Sequence, residues 1–252
     1  MFETVSAAAR QADLLRETAH RPWPLPSEPW ALGQTLERLL LAHWPVPAAA
    51  LRPLVPARLE LETHGGEAWL GIVAGAVESV RFRGSPPLPV VSRSLEVNMR
   101  TYVRLGERPG ILFLSLDLSS PLAFRLARSV YGLPAFRSRL TLQRGDEWNR
   151  LSAARVGAPR PYVFSARYRA LAEAVPNPLS TFVTDRYCLY AEDRRGTLRR
   201  AEFHRLPWKL REAECELELN TMAPDGVEFS RGEPRLHFVA RQDALLWPLE
   251  PV

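Results

Sequence analysis

From Trp30 onward the chain is a succession of strand-like runs, each closed by glycine, proline or another turn-forming residue. The runs expected are 36–44, 59–62, 67–82, 95–105, 110–118 and 136–143, followed by 147–156, 162–168, 184–191, 197–206, 213–219 and 236–247. Most links between them are short turns, whereas a parallel pair needs a crossover of a dozen or more residues. The pattern therefore constrains the chain to an α+β, mainly β fold, built as a curved and largely antiparallel structure. His64-Gly65-Gly66 predicts a hairpin turn between the second and third runs. Helical spacing is confined to a few places. At 4–19, Val5, Ala8, Ala12 and Leu15 share a face; 48–54 fits one or two turns, and 177–182 a loop or a short turn. At 121–131, Leu122, Leu126, Ala127 and Val130 are spaced by three or four, with Gly132 as the stop. Pro22, Pro24, Pro26 and Pro29 separate the first helix from the strands. No composition break divides the remainder, so an N-terminal helix (1–20) is expected to dock on one β domain (21–252).

Composition excludes several classes of function. A chain of 252 residues with 46% hydrophobic residues can bury a large core and is not wholly disordered. Its longest apolar run, 68–77, is interrupted by glycines and is half the length of a membrane span, so no membrane partner is expected. No basic segment followed by an apolar stretch marks a secretory leader, and a cytoplasmic location is expected. Cys188 and Cys215 lack metal-ligand spacing and read as reduced core thiols. The net charge of +5 raises the question of nucleic acid. The arginines, however, are scattered among carboxylates, no basic run exceeds two residues, and no recognition-helix or RNA-sheet signature occurs. Nucleotide binding has no glycine-rich motif to support it, and Ser115 and Ser119 lack a nucleophile elbow.

The clearest pattern is Leu95-Glu96-Val97-Asn98-Met99-Arg100-Thr101-Tyr102-Val103. In a strand it places Glu96, Asn98, Arg100 and Tyr102 on one face, and Leu95, Val97, Met99 and Val103 on the other. By spacing alone this fits a sheet with one wet face and one core face. The sharper reading puts the polar row inside a barrel, with Arg100 set to bind a carboxylate and Glu96 to handle a proton. Arg128 falls in the last turn of the helix at 121–131, where it would suit the negative end of the helix dipole without any ligand. His43, His204 and His237 lie on separate strands and could converge in a barrel. They lack metal-ligand spacing, so no metal is expected. The seven tryptophans are expected in the core or lining a cavity.

At this point the chain resembles a family. The runs Leu40-Leu41-Ala42-His43-Trp44-Pro45-Val46-Pro47 and Leu51-Arg52-Pro53-Leu54-Val55-Pro56 are similar to the opening of the YqjF-like proteins, the domain of unknown function 2071 family. Similar again are Glu96 to Val103, Pro109-Gly110-Ile111-Leu112-Phe113-Leu114-Ser115-Leu116-Asp117, Tyr131-Gly132-Leu133-Pro134, His204-Arg205-Leu206-Pro207-Trp208 and Asp243-Ala244-Leu245-Leu246-Trp247-Pro248-Leu249. The resemblance covers about residues 20–249 in matching order. It implies a fold like that of acetoacetate decarboxylase, a cone or barrel of antiparallel strands around a cavity, and brings no established reaction. In the decarboxylases a helix-end arginine and a glycine lead into a proline followed by two lysines, one of which forms the Schiff base. Arg128, Gly132 and Pro134 match that frame, while the lysine positions fall on Ala135 and Phe136. Of the 33 cationic residues only Lys209 is a lysine, far along the chain, and it is expected on the surface. A guanidinium cannot replace the amine as a nucleophile.

The expectation is a protein that binds a small organic acid in a decarboxylase-like cavity, without a Schiff-base lysine and without a cofactor. Its ligand-binding candidates are Glu96, Asn98, Arg100, Tyr102, Arg128 and His43. The alternative is a lyase- or hydratase-type enzyme with Glu96 as acid or base and an arginine as anion anchor. A third reading leaves the polar row in solvent, with the protein acting through its surface or as a homo-oligomer.

Overall fold

The computed structural model describes residues 6–88, 93–193, 195–229 and 232–252. Its elements are α1 (Ala7–Asp13), β1 (Leu32–Val46), α2 (Ala48–Leu51), β2 (Glu60–Leu61), β3 (Ala68–Phe82), β4 (Arg93–Leu105), β5 (Arg108–Leu118), α3 (Pro121–Ser129) and β6 (Ala135–Arg144). They continue with β7 (Asn149–Arg155), β8 (Val163–Glu173), α4 (Pro178–Thr184), β9 (Cys188–Glu192), β10 (Leu198–His204), β11 (Arg211–Asn220), β12 (Arg235–Leu246) and β13 (Glu250–Pro251). Among the described residues all the strands join one sheet, and its pairings close on themselves twice. The smaller circuit runs β12-β1-β3-β4-β5-β9-β10 and back to β12; the larger runs β12-β1-β3-β4-β5-β6-β7-β8-β11 and back to β12.

Two strands change neighbour along their length and so serve both circuits. β12 pairs with β11 at Phe238 and His237, then with β10 at Leu246 and Leu245. β5 pairs with β9 at Ile111 and Leu112, then with β6 from Leu116 to Leu118. Both β5 contacts are parallel, the exceptions to an otherwise antiparallel sheet. The structure also revises the expected hairpin at 59–82. Gly65 and Gly66 do take positive φ in the turn, but β2 pairs with β4, leaving a single bridge between His64 and Glu67. The strand expected from residue 184 starts at Cys188, because Asn177 caps α4 with a capping box and carries the helix to Thr184.

The shared sheet β12-β1-β3-β4-β5 separates two interiors. Its outward face packs Leu40, Leu70, Ile72, Val97 and Met99 against Phe164 and Tyr168 of β8, filling the larger circuit with a solid core. Burial of each such side chain contributes about 1.5–3 kcal/mol. Three bulges bend the sheet and reset which face each residue takes. Arg38 (φ 51) interrupts the pairing of β1 with β3, so Leu36 and Leu39 both turn inward. Ser79 (φ 52) does the same in β3, and a register shift after Met99 does it in β5. Gly75 faces the Arg38 bulge, where a Cβ would lie 2.6 Å from Leu39 Cδ2 and 2.9 Å from the Glu37 carbonyl oxygen.

The N-terminal helix docks through a polar anchor rather than the apolar face expected from spacing. Gln11 is fully buried; it accepts a bond from Arg81 (2.6 Å) and donates to the Ser79 carbonyl (3.2 Å) and Thr35 (3.3 Å). Leu14 is buried on the same side, while Leu15 is 40% exposed. The bulged backbone at Ser79 needs a donor and the buried Arg81 an acceptor, so the amide occupies the inner position. Val5 of the expected face lies outside the described residues.

Candidate functional site

The smaller circuit encloses a cavity of about 440 Å³. β4 supplies Ser94, Glu96, Asn98 and Arg100 to its wall, the period of two that sends Val97 and Met99 into the core behind. Glu96, Asn98 and Arg100 of the polar row thus line the cavity rather than a wet outer face. Val73 and Val77 of β3 and Phe113 and Leu116 of β5 flank it, and α3 covers it with Ala123, Leu126 and Ala127. Trp208 joins the wall, while Trp23, Trp30, Trp44, Trp69 and Trp247 are core residues and Trp148 underlies Arg167 and Arg169.

Guanidinium groups converge on one end. Arg100 is buried, and its Nε makes no hydrogen bond among the described residues. Arg186, just after α4, donates to the Phe182 carbonyl (2.7 Å) and to Glu62, which also accepts two bonds from Arg104 (2.8 and 3.1 Å). Arg205, just after β10, donates to the carbonyls of Leu206 (3.0 Å) and Thr184, again leaving its Nε unbonded among the described residues. Burial lowers the Arg205 pKa to about 10; Tyr187 and Asp185 oppose the drop, and the like charge of Arg100 adds to it. Glu62 is thus shared between Arg186 and Arg104, whereas Arg100 and Arg205 form no ion pair among the described residues and both line the cavity.

Among the described residues, Glu96 is the acidic residue of the wall. Asn98 donates to its Oε1 (3.1 Å), leaving the side-chain Oδ1 of Asn98 unbonded among the described residues. Removal from water pushes the Glu96 pKa up to about 7, and the Asn98 bond and the Arg100 charge limit the rise. At neutral pH the group is therefore poised between its acid and base forms.

His43 and Tyr102 lie one layer behind the wall, fully buried. Strand register sets His43 opposite Gly71 and Gly71 opposite Arg100. A Cβ on Gly71 would lie 2.8 Å from His43 Cδ2 and 3.0 Å from the Tyr102 hydroxyl, so glycine is what lets the two rings approach. Burial, then Arg100 and His237, hold the His43 pKa well below its ordinary value, so the ring is neutral. Neither ring nitrogen of His43 nor the Tyr102 hydroxyl is hydrogen-bonded among the described residues. His204 is elsewhere, stacked on His20 at 5.4 Å and bonded to the Leu14 carbonyl (2.8 Å). Among the described residues no group of three or more His, Cys, Asp or Glu side chains is placed to hold a metal ion.

Arg128 does not reach the cavity. It is exposed, its guanidinium 5.9 Å from the Phe124 ring, and it lines an outer groove instead. The face of α3 turned inward holds residues 123, 126 and 127, which points Arg128 away. Ala135 is buried in an apolar cluster, Phe136 lies 3.6 Å under the Arg155 guanidinium, and Lys209 is exposed. Sequence reasoning missed Arg186 and Arg205. Arg205 sat within the family-like run 204–208, a signal read only as resemblance; Arg186 carried none, one arginine among many.

The architecture matches acetoacetate decarboxylase from Legionella pneumophila subsp. pneumophila with a TM-score of 0.59 at 13% identity, covering 95% of each chain. An acetoacetate decarboxylase-like enzyme from Sphingomonas wittichii RW1 matches with a TM-score of 0.62 at 15% identity, covering 92% of this chain and 98% of that one. The enduracididine biosynthesis enzyme MppR complexed with pyruvate matches with a TM-score of 0.60 at 14% identity, covering 91% and 92%. The chain therefore has an acetoacetate decarboxylase-like fold, and at these identities the fold alone is shared. The family model of domain of unknown function 2071, described as an uncharacterized conserved protein, matches residues 33–243. The uncharacterized protein YqjF of Bacillus subtilis (strain 168) is 35% identical over 230 residues, 89% of this chain and 94% of that protein. The chain belongs to the domain of unknown function 2071 family. Among the described residues no helix is long and apolar enough to cross a membrane.

Proposed function

We propose that this protein binds an organic acid in the cavity of the smaller circuit, with Arg100 and Arg205 as anion anchors and Asn98 and Glu96 beside them. The observation that supports it most is the convergence of buried guanidiniums, not fully paired, on one end of an apolar cavity. Inside a low-dielectric site, a charge-assisted bond to a carboxylate would satisfy them. MppR holds pyruvate in a similar fold, which is in keeping with this reading. His43 and Tyr102 act as support for the wall, and Arg128 has no part in it.

A lyase or hydratase is the second reading, favoured by the Glu96 pKa of about 7, which suits a proton donor and acceptor at neutral pH. One experiment addresses both. The protein is incubated with a panel of keto, hydroxy and aromatic acids, following thermal stability and, by mass spectrometry, turnover. At least one acid raises the melting temperature, and Arg100→Met removes that shift; a panel without any shift overturns the proposal. Turnover lost in Glu96→Gln selects the enzyme, and a shift without turnover selects the binder. Borohydride trapping with pyruvate leaves the mass unchanged in either case, and an adduct on Lys209 would contradict the account of the missing amine.

A further inference from the structure

The cavity is larger and more apolar than a keto acid needs. Its guanidinium groups gather at one end, where Arg100, Arg186 and Arg205 meet. From there β4 lines it as far as Ser94, six residues or about 20 Å of strand. The end beneath α3 is walled by Leu32, Val77, Val80, Leu118 and Leu126, interrupted among the described residues by Ser94, Gln34 and, opposite Leu118, Glu96. Ala123 and Ala127 are the small residues on the helix face that leave this end open. Phe82 and Val130 line the cavity while being 44% and 59% exposed, so apolar surface runs from the chamber out to solvent. A volume of about 440 Å³ lies in the range of pockets that enclose drug-sized ligands.

Resting on the reading of an organic-acid site, we infer that the ligand is an amphipathic monocarboxylic acid. Its carboxylate meets Arg100 and Arg205, and a medium-length apolar chain runs beneath α3 toward Phe82. A short acid would satisfy the arginines but leave the chamber wet, with few polar partners, such as Ser94 and Gln34, for the water it held. Each methylene moved from water into the chamber favours binding by about fourfold, the equivalent of about 0.8 kcal/mol.

Titration calorimetry at pH 6 with butyrate, hexanoate, octanoate and octanol tests the inference. Affinity is expected to rise about fourfold per methylene, on the order of a hundredfold or more from butyrate to octanoate, with octanol at least tenfold weaker than octanoate. Ala123→Phe, which fills the apolar end, is expected to weaken octanoate at least tenfold more than butyrate. Acids that bind with no dependence on chain length would overturn the amphipathic ligand and leave the anion site standing. Octanol binding as tightly as octanoate, or no acid binding at all, would overturn both.

Discussion

At the scale of single residues, Glu96 makes the site sensitive to pH. Its carboxyl titrates at about 7 in the folded protein, against 4.5 for the ordinary group. Between those values the folded state holds a proton that the unfolded chain has lost, so stability falls as pH rises through this window and levels above it. Glu96→Gln stays neutral throughout. Urea denaturation at pH 5 and pH 8 is expected to show the variant more stable than the native protein at pH 8, by roughly 1–3 kcal/mol, and little different at pH 5. The same charge acts on the ligand. An ionised Glu96 would repel a bound carboxylate, so titration calorimetry is expected to show the native protein binding octanoate more tightly at pH 6 than at pH 8, with Glu96→Gln losing most of that dependence. Glu96, Asn98 and Arg100 were legible in the sequence because an unbroken period of two places them on one face of β4. Tyr102 shares that face yet packs behind the wall, a distinction of depth that alternation does not encode.

At the scale of elements, the strands follow from their periodicity and the bulges do not. Arg38 and Ser79 take positive φ without being glycine, so nothing in the residue type marks the inserted position. The mark lies across the sheet, at Gly75, where the Leu39 side chain and the carbonyls of Glu37 and Arg38 leave no room for a Cβ. Gly75→Ala must move backbone and is expected to cost about 3 kcal/mol, near the upper end for overpacking a core. Gly65→Ala meets nothing within 4 Å and strains only its φ of +64, costing about 1 kcal/mol. Equal losses in chemical denaturation would mean that the bulge is not fixed by Gly75. The N-terminal helix teaches a related lesson: its docking face is set by the hydrogen-bonding needs of Arg81 and Ser79, far along the chain, and so spacing within the helix pointed to the wrong residues.

At the scale of the whole molecule, the cavity exists because one sheet closes twice, and the smaller closure contains it. That closure depends on contacts distant in sequence. Gly110 lets β9 approach β5, since a Cβ there would lie 2.7 Å from the Tyr190 ring and 2.8 Å from the Cys188 carbonyl oxygen. Local pattern predicts neighbours in sequence, which is why it proposed a hairpin at 59–82 and gave no sign of the parallel pairings of β5. The resemblance in motif order supplied what periodicity lacked, a cone around a cavity, and the absence of lysine at 135 and 136 removed the expected amine from it. What remains to be seen directly is the proposed acid at Arg100 inside this cavity. A crystal structure of the protein grown with octanoate at pH 6 tests it most directly. The carboxylate is predicted within about 3 Å of the Arg100 guanidinium, with the chain lying beneath α3. Octanoate bound instead in the outer groove beside Arg128, with no acid in the cavity, would contradict it.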